Sequence, residues 1–259
     1  MTSYSMKCVA PTVSEVLKVD RPLKAEEQSI EEIVDDLRGS SSLAILAPDA
    51  LGIVPWRRWQ NEMPFLQSLH VRNSLLLESI MPSSTPMNFG CMLTGAELAV
   101  HGMKTREMEF QCETVFDVIR RAGGKSAGVG HRGYSGELLL ARCADIPGVA
   151  EPGTAKTVGD KIIELYDAYA PMFLIAQFAN VDTLFHKIGP SHPDVVPMLR
   201  ELDMTLSRVV PYLTDRKVAV ILLADHGQHD VFSADGKFSH GEHGTDCPED
   251  RLVPCTWTS

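Results

Sequence analysis

Residues 218–230 read VAVILLADHGQHD, and this stretch decides the predicted fold. Its first seven residues carry no charge and include several β-branched side chains, which is typical of a strand buried on both faces inside a parallel sheet. The apolar run ends abruptly at Asp225, His226 and Gly227. A carboxylate beside an imidazole at the end of a buried strand is costly to desolvate, so the pattern indicates a compensating cation.

Two upstream stretches repeat this pattern. Residues 43–52 read LAILAPDALG, in which an apolar run ends at Asp49. Residues 172–182 read MFLIAQFANVD and end at Asp182, with His186 one helical turn further on. Because the carboxyl ends of parallel strands meet at one edge of a sheet, the three aspartates predict one shared site.

Strands alternate with segments of helical periodicity along the rest of the chain. One long helix is predicted over residues 193–213, because apolar residues recur on a single face: Val196, Leu199, Leu202, Leu206 and Val209. The alternation predicts a three-layer α/β/α fold, in which a mostly parallel central sheet carries helices on both faces. Residues 1–28 are weakly patterned and are predicted to form a peripheral N-terminal arm, whereas residues 29–259 form a single catalytic domain.

Several local features are also predicted from spacing. We expect one helix through residues 56–69, a strand over residues 137–146, and a helix that opens after Thr85. A run of glycines lacks the lysine and the spacing of nucleotide-binding loops, so these residues are interpreted as turns: Gly128, Gly130, Gly133 and Gly136. Apolar residues of the arm would contact another subunit if the arm packs there: Val13, Val16 and Leu17.

The composition excludes several classes of protein. A net charge of −10 argues against a surface that coats nucleic acid, although bound divalent cations would still allow an anionic substrate. No signal peptide and no membrane-spanning run is predicted, so we expect no membrane partner. The six cysteines are scattered without a CxxC pair, which favours reduced thiols in a cytoplasmic protein.

Carboxylates and imidazoles at strand ends suit zinc or manganese. Three converging carboxylates would repel one another, but two dications would outweigh them by about one positive charge and favour a phosphoryl or sulfuryl group. Each of these residues alone has an ordinary explanation as a turn acid or a satisfied polar group. Only their occurrence together indicates a metal site. Four other histidines are interpreted as ordinary polar or surface residues: His70, His101, His131 and His192.

Thr85 is the candidate nucleophile. It follows a predicted strand and opens a helix, so its hydroxyl lies at the positive helix end, where an anion is favoured. A threonine hydroxyl needs activation before it attacks, and metal coordination is one way to activate it. The alternative is that Thr85 is a simple N-cap before Pro86.

The order of these motifs resembles the alkaline phosphatase superfamily, and most closely its nucleotide pyrophosphatase/phosphodiesterase branch. The resemblance covers residues 43–257 and depends on Asp49 in APDALG, Thr85 in PSSTPMN, the pair Asp182 and His186, the triplet Asp225-His226-Gly227, and His243-Gly244. It implies two divalent ions, Zn²⁺ in the first place and Mn²⁺ as the alternative. Asp182, His186 and His243 would hold one ion, and Asp49, Asp225, His226 and Thr85 the other.

The resemblance favours His243 over His240 as the last ligand. In the family, His-Gly is followed by an acidic pair and a proline, which here are Glu249-Asp250 and Pro254. His240 is also followed by glycine, so both histidines stay candidates.

The resemblance also implies a covalent mechanism. Thr85 would attack phosphorus with activation by the metal, and water would then hydrolyse the phosphothreonine. Asn88 would contact a non-bridging phosphate oxygen. Asn88 stands where sulfatases of the superfamily have arginine, which counts against sulfate esters.

The predicted function is therefore a metal-dependent hydrolase of phosphodiesters or nucleotide pyrophosphates, with a small phosphorylated molecule as its partner. A phosphonate hydrolase or a phosphomonoesterase of the same superfamily is the alternative, and a non-catalytic metal-binding domain is the alternative from another class. A homo-oligomer is compatible with the sequence, which leaves the natural substrate open.

Overall fold

The computed structural model describes residues 3–259, so Met1 and Thr2 of the predicted arm lie outside the described residues. The strands are β1 (Ser3–Ser5), β2 (Ser42–Pro48), β3 (Ser74–Glu78), β4 (Ser126–His131), β5 (Ile146–Ala150), β6 (Phe173–Phe178), β7 (Val218–Leu223), β8 (His229–Phe232), β9 (Phe238–Glu242) and β10 (Leu252–Thr258).

The central sheet has eight strands in the order β1-β3-β10-β7-β2-β6-β4-β5. Its pairs are parallel except those that β10 makes with β3 and β7. A separate antiparallel pair is formed by β8 and β9. The structure therefore confirms the predicted mostly parallel sheet.

The helices are α1 (Val9–Leu17), α2 (Glu31–Asp36), α3 (Ile53–Trp59), α4 (Pro64–Arg72), α5 (Thr85–Thr94), α6 (Leu98–His101), α7 (Val115–Arg121), α8 (Ala155–Tyr169), α9 (Asn180–Ile188), α10 (Val196–Thr214) and α11 (Pro248–Arg251). Helices α4, α8 and α10 pack together, and α1 packs with α2, α5 and α7 in a second group. The helical layers agree with the predicted α/β/α architecture. Among residues 3–259, no helix combines the length and apolarity needed to cross a membrane.

The core follows from the apolar runs. Every residue of β6 and β7 is buried, as is every residue of β2 after Ser42, because these central strands have helices on both faces. On α10 the predicted apolar face is buried completely at Leu199, Leu202, Leu206 and Val209. All six cysteines, which lie within the described residues, are unpaired.

The described part of the N-terminal segment is not peripheral. Strand β1 extends the central sheet by pairing with β3, and α1 packs on α5. Val13 and Val16 have exposures of 0% and 2%, so they belong to the core rather than to a contact with another subunit. The sequence did not predict this because α1 is buried on almost all sides, so it has no single apolar face. The separation of residues 1–28 from the catalytic domain stays a prediction.

Three local predictions were wrong. The predicted strand over residues 137–146 is instead a π-helical segment, Gly136–Ala141, that precedes β5. Gly128 and Gly130 lie in β4 rather than in turns, because this segment packs against them: a Cβ on Gly130 would lie 2.3 Å from the Gly136 Cα. The predicted helix over residues 56–69 is divided into α3 and α4, and Pro64 opens the second.

Candidate metal centre

The strand order brings the three aspartates to one edge of the sheet. Strands β7, β2 and β6 are parallel neighbours, so their carboxyl ends lie side by side. Asp49 directly follows β2, and Asp225 lies two residues after β7. Asp182 lies in the first turn of α9, the helix that follows β6. Thr85 is the first residue of α5, which follows β3.

Asp49, Asp225 and His226 form an inner cluster. The His226 Nε2 lies 3.4 Å from Asp49 Oδ1 and 3.4 Å from Asp225 Oδ2. The His226 Nδ1 lies 3.0 Å from the carbonyl oxygen of Gly227, which only accepts hydrogen bonds. In the neutral ring this contact holds the proton on Nδ1, so the Nε2 lone pair faces two carboxylates. A cation between these three atoms would turn this repulsion into attraction.

The remaining oxygens of the inner cluster are held by neighbouring groups. Asp225 Oδ1 accepts a hydrogen bond of 3.3 Å from the backbone N–H of Ala50. Ala50 has φ of 63°, a left-handed conformation that an alanine rarely adopts. Asp49 Oδ2 accepts a hydrogen bond from Gln177 Nε2, and Gln177 Oε1 accepts one from the N–H of Gly136.

Gln177 is a site residue that the sequence analysis missed. It is 1% exposed and is the one polar residue in the otherwise apolar β6. A polar side chain inside a strand buried on both faces needs hydrogen-bond partners, and this was the signal that could have identified it.

Asp182, His186 and His243 form an outer cluster. Asp182 Oδ1 lies 3.2 Å from His186 Nε2 and 3.7 Å from His243 Nε2. The Nδ1 of His186 lies 2.8 Å from the Gly241 carbonyl oxygen, and that of His243 lies 2.7 Å from the Ser83 carbonyl oxygen. Both rings are thus oriented by the backbone in the way that metal-binding histidines usually are.

The two clusters adjoin each other. The rings of His226 and His243 stack with their centroids 3.9 Å apart and their planes at 25°. The predicted ligands therefore form two groups of three donors, and this is the grouping that the resemblance implied.

Two buried oxygens support a cation in each cluster. Among the described residues, Asp182 Oδ1 and Asp225 Oδ2 are buried and accept no hydrogen bond. Both atoms face the Nε2 atoms of their own cluster. A buried carboxylate oxygen without a donor is costly, and a divalent ion bound by these oxygens and nitrogens removes that cost. The donor set thus fits Zn²⁺ or Mn²⁺.

Burial and like charges shift the pKa values of the site in opposite directions. Burial raises the pKa of Asp49 well above its usual range, and the nearby carboxylates of Asp225 and Asp182 raise it further. Burial lowers the pKa of His243 to about 4, and the neighbouring His226 adds to this decrease. His243 is therefore neutral at physiological pH, as a metal ligand must be.

Thr85 lies against the inner cluster. Its Oγ1 is 3.1 Å from His226 Nε2 and 3.5 Å from Asp49 Oδ1. The residue before it, Ser84, caps α5 without a side-chain hydrogen bond, so the amides of the first turn are free of side-chain capping. The hydroxyl, the helix terminus and the inner cluster share one location, which is the arrangement expected of an activated nucleophile.

Asn88 is buried one turn beyond Thr85. It is 0% exposed, its Oδ1 accepts a 2.8 Å hydrogen bond from the Ile80 N–H, and its Nδ2 donates to the Ser84 carbonyl oxygen. The amide thus fastens the loop before α5 to the helix. The contact of Asn88 with a phosphate oxygen stays a prediction.

His240 lies apart from the outer cluster. It is exposed on β9, with its Nδ1 3.0 Å from the Ser239 hydroxyl and its Nε2 3.5 Å from Glu242. The structure therefore places His243 rather than His240 beside Asp182.

Two sequence comparisons show which known proteins this chain is similar to. Residues 124–244 match the family model of type I phosphodiesterases and nucleotide pyrophosphatases. A protein of Schizosaccharomyces pombe, named an uncharacterized pyrophosphatase/phosphodiesterase, is 31% identical over 81 residues, which cover 29% of this chain and 17% of that protein.

Solved structures share the fold. Human ectonucleotide pyrophosphatase/phosphodiesterase 5 has a TM-score of 0.66 at 13% identity, covering 84% of this chain and 87% of that one. Phosphonoacetate hydrolase from Sinorhizobium meliloti 1021, in complex with phosphonoformate, has a TM-score of 0.60 at 19% identity, covering 76% of this chain and 59% of that one. The family match confirms the resemblance predicted from the sequence, and the solved structures show the alkaline phosphatase-like fold.

Proposed function

We propose that this chain is a metal-dependent hydrolase of phosphoric esters that acts on a phosphodiester or a nucleotide pyrophosphate. The observation that carries the proposal is the placement of Thr85 Oγ1, 3.1 Å from His226 Nε2 and at the first residue of α5. A hydroxyl beside two groups of metal ligands suits attack on phosphorus better than a capping role. The match to the phosphodiesterase family supports the same reaction class.

Each cluster would hold one divalent ion. Asp182, His186 and His243 would bind the outer ion, and the inner cluster together with Thr85 would bind the other. Bound ions of this kind lower the pKa of a coordinated hydroxyl and stabilise charge on the attacking and leaving oxygens. Zn²⁺ suits this mixture of imidazole and carboxylate donors, and Mn²⁺ is the alternative.

The chain itself supplies the nucleophile and the groups that orient the phosphate. A bond forms between Thr85 Oγ1 and phosphorus while the bond from phosphorus to the leaving oxygen breaks and the hydroxyl proton passes to solvent. The product is a phosphothreonine that still carries the second ester group of the substrate. Water then attacks this intermediate and releases the phosphorylated product and the free hydroxyl. The N–H groups of Thr85 and Met87 at the start of α5 would bind the equatorial oxygens, because the helix N-terminus favours anions. Pro86 has no N–H, and the Asn88 N–H already donates to the Ser84 carbonyl oxygen.

A cavity of about 740 Å³ beside α9 would receive the rest of the small phosphorylated substrate. Asn180, Thr183 and Lys187 line this cavity, whereas Asp182 and His186 belong to the outer cluster. Its wall also contains Arg132, which is paired with Glu151 of the same wall, and the aromatic ring of Tyr134. This lining suits an aromatic portion beyond the phosphoryl group, with Lys187 as the cation that would meet an anionic one.

The test is an ester panel on the zinc-loaded chain. We expect faster turnover of bis-p-nitrophenyl phosphate than of p-nitrophenyl phosphate or of a p-nitrophenyl phosphonate. Thr85→Ala should abolish turnover, and the exposed Thr105→Ala is the matched control. An acid quench during turnover of bis-p-nitrophenyl phosphate should leave a p-nitrophenyl phosphoryl group on the peptide that contains Thr85.

Each other outcome is decisive. Equal turnover by Thr85→Ala rules out the covalent route. Preference for the phosphonate or the monoester replaces the diester with that substrate class. Two bound ions without turnover of any ester supports a non-catalytic metal-binding domain instead.

A further inference from the structure

A third group of metal-binding side chains lies outside both clusters. His229 at the start of β8, Cys247 before α11 and Asp250 within α11 each direct one donor atom to a common point, and these atoms lie within 4.8 Å of one another. The His229 Nδ1 is 2.8 Å from Asp250 Oδ1 and 3.9 Å from Cys247 Sγ. We name this group the thiol cluster.

The geometry does not fit a nucleophilic triad. In such a triad the imidazole uses one nitrogen toward the thiol and the other toward the carboxylate. Here the same nitrogen, His229 Nδ1, faces both Cys247 and Asp250. Three donors that converge on one point are instead the arrangement of a metal site, and sulfur, imidazole and carboxylate together favour zinc.

The carboxylate of Asp250 is held as a metal ligand would be. Asp250 is 0% exposed, and its Oδ2 accepts hydrogen bonds of 2.9 Å and 2.7 Å from the backbone N–H and the hydroxyl of Thr245. This support fixes the carboxylate and leaves Oδ1 directed at His229 and the thiol. Ligating carboxylates are commonly oriented by hydrogen bonds of this kind.

We propose that the thiol cluster binds a third zinc ion, with a water molecule as its fourth ligand. One thiolate and one carboxylate balance the charge of the dication. On binding, the thiol proton of Cys247 passes to solvent, and the proton of His229 moves from Nδ1 to Nε2 as the ring stays neutral. The proposal does not depend on the catalytic one.

This ion would join the two segments that carry catalytic-centre ligands. His229 lies three residues after His226, and Cys247 lies four residues after His243. The Gly227 N–H already donates a 2.8 Å hydrogen bond to the Asp250 carbonyl oxygen. A zinc ion bound across the same junction would fix the positions of His226 and His243 relative to each other.

Cobalt substitution tests the proposal without any turnover. Thiolate bound to Co²⁺ gives a near-ultraviolet charge-transfer band, and the inner and outer clusters contain no cysteine. We expect the band in the Co²⁺-loaded chain and its loss in Cys247→Ser. Cys143→Ser, at another partly exposed cysteine, should keep it. Zinc content should fall from about three ions per chain to about two in Cys247→Ser.

A wild-type chain with two zinc ions and no band would overturn the proposal, as would a band that persists in Cys247→Ser. If Cys247→Ser does not fold, His229→Gln is the second variant and should weaken the band. Thr85→Ala should keep the band while it loses hydrolysis. A wild-type chain that shows the band but hydrolyses no ester would count against the proposed function alone.

Discussion

The inner and outer clusters use the same donor types but differ in burial and in charge. In the inner cluster the side chains of His226 and Asp225 are 0% exposed and that of Asp49 is 3% exposed. In the outer cluster the His186 side chain is 43% exposed, and those of Asp182 and His243 are 17% exposed. The inner ion would be enclosed, and the outer ion would face solvent.

The net charge of the ligands also differs between the two clusters. Two carboxylates and one imidazole neutralise an inner dication, whereas one carboxylate and two imidazoles leave the outer ion with excess positive charge. An anionic substrate would therefore be attracted to a bound outer ion first. A bound inner ion would have Thr85, the proposed nucleophile, as its neighbour. On the proposed function, the inner cluster would serve activation and the outer cluster substrate capture.

The largest expected effect comes from the inner cluster. Asp225→Asn removes a charged donor where solvent cannot replace it, so the inner ion should be lost and hydrolysis should fall roughly 10²–10³-fold, since metal stabilisation is worth several kcal/mol. His186→Gln, at the exposed ligand, should retain the inner ion. Metal analysis and ester kinetics on both variants check this. His240→Ala, at an exposed histidine outside both clusters, is the control. An Asp225→Asn chain that binds two ions and keeps full activity would show that burial does not distinguish the inner cluster from the outer one.

The metal-free clusters should respond to pH with opposite signs. Burial lowers the pKa of His243 from 6.5 to about 4 in the folded chain, so the unfolded chain binds more protons between these values. The free energy of unfolding therefore falls as pH falls from 6.5 to 4, by at most about 3 kcal/mol. Burial and like charges raise the pKa of Asp49 above 3.8 in the folded chain. The contribution of Asp49 to the free energy of unfolding therefore falls as pH rises through the raised pKa.

Urea unfolding of the chelator-treated chain separates the two contributions. The free energy of unfolding of the wild type, minus that of His243→Gln, should increase with pH over the acidic range. The free energy of unfolding of the wild type, minus that of Asp49→Asn, should decrease with pH. Asparagine removes the repulsion between carboxylates and keeps an acceptor for Gln177. Two differences of the same sign would show that the clusters do not differ in this way.

The elements that position the clusters could be predicted from the sequence because each has a strong local signal. An uncharged run that ends at an acid marks the carboxyl end of a buried strand, and this pattern located Asp49, Asp182 and Asp225. Parallel neighbours then bring the three strand ends together. The α10 helix was recognisable from its single apolar face.

Other features depend on packing that a linear pattern does not record. The segment Gly136–Ala141 has apolar residues on consecutive positions, which suits a strand equally well until its contact with β4 is known. The burial of Asn88 likewise depends on how α5 packs, which its spacing from Thr85 does not record. Cys247 and His229 are separated by seventeen residues, and the chain turns through β8 and β9 bring them together.

The smallest expected effect concerns Gln177, which supports the inner cluster without belonging to it. Gln177→Leu removes the donor to Asp49 Oδ2 and the acceptor for the Gly136 N–H. Loss of a hydrogen bond that orients a ligand typically lowers metal affinity about 10–100-fold, so the inner ion should bind more weakly by this factor. The outer ion should be unaffected, because its ligands are oriented by the Gly241 and Ser83 carbonyls.

Competition with a chelator measures the two affinities in one titration. Gln67→Leu is the control, since it removes only a surface hydrogen bond to Asn61. Equal weakening of both ions by Gln177→Leu would mean that the clusters respond as one unit through the stacked rings of His226 and His243. Selective weakening of the inner ion would show that burial makes its affinity depend on the fixed partners of Asp49, since no solvent molecule can take their place.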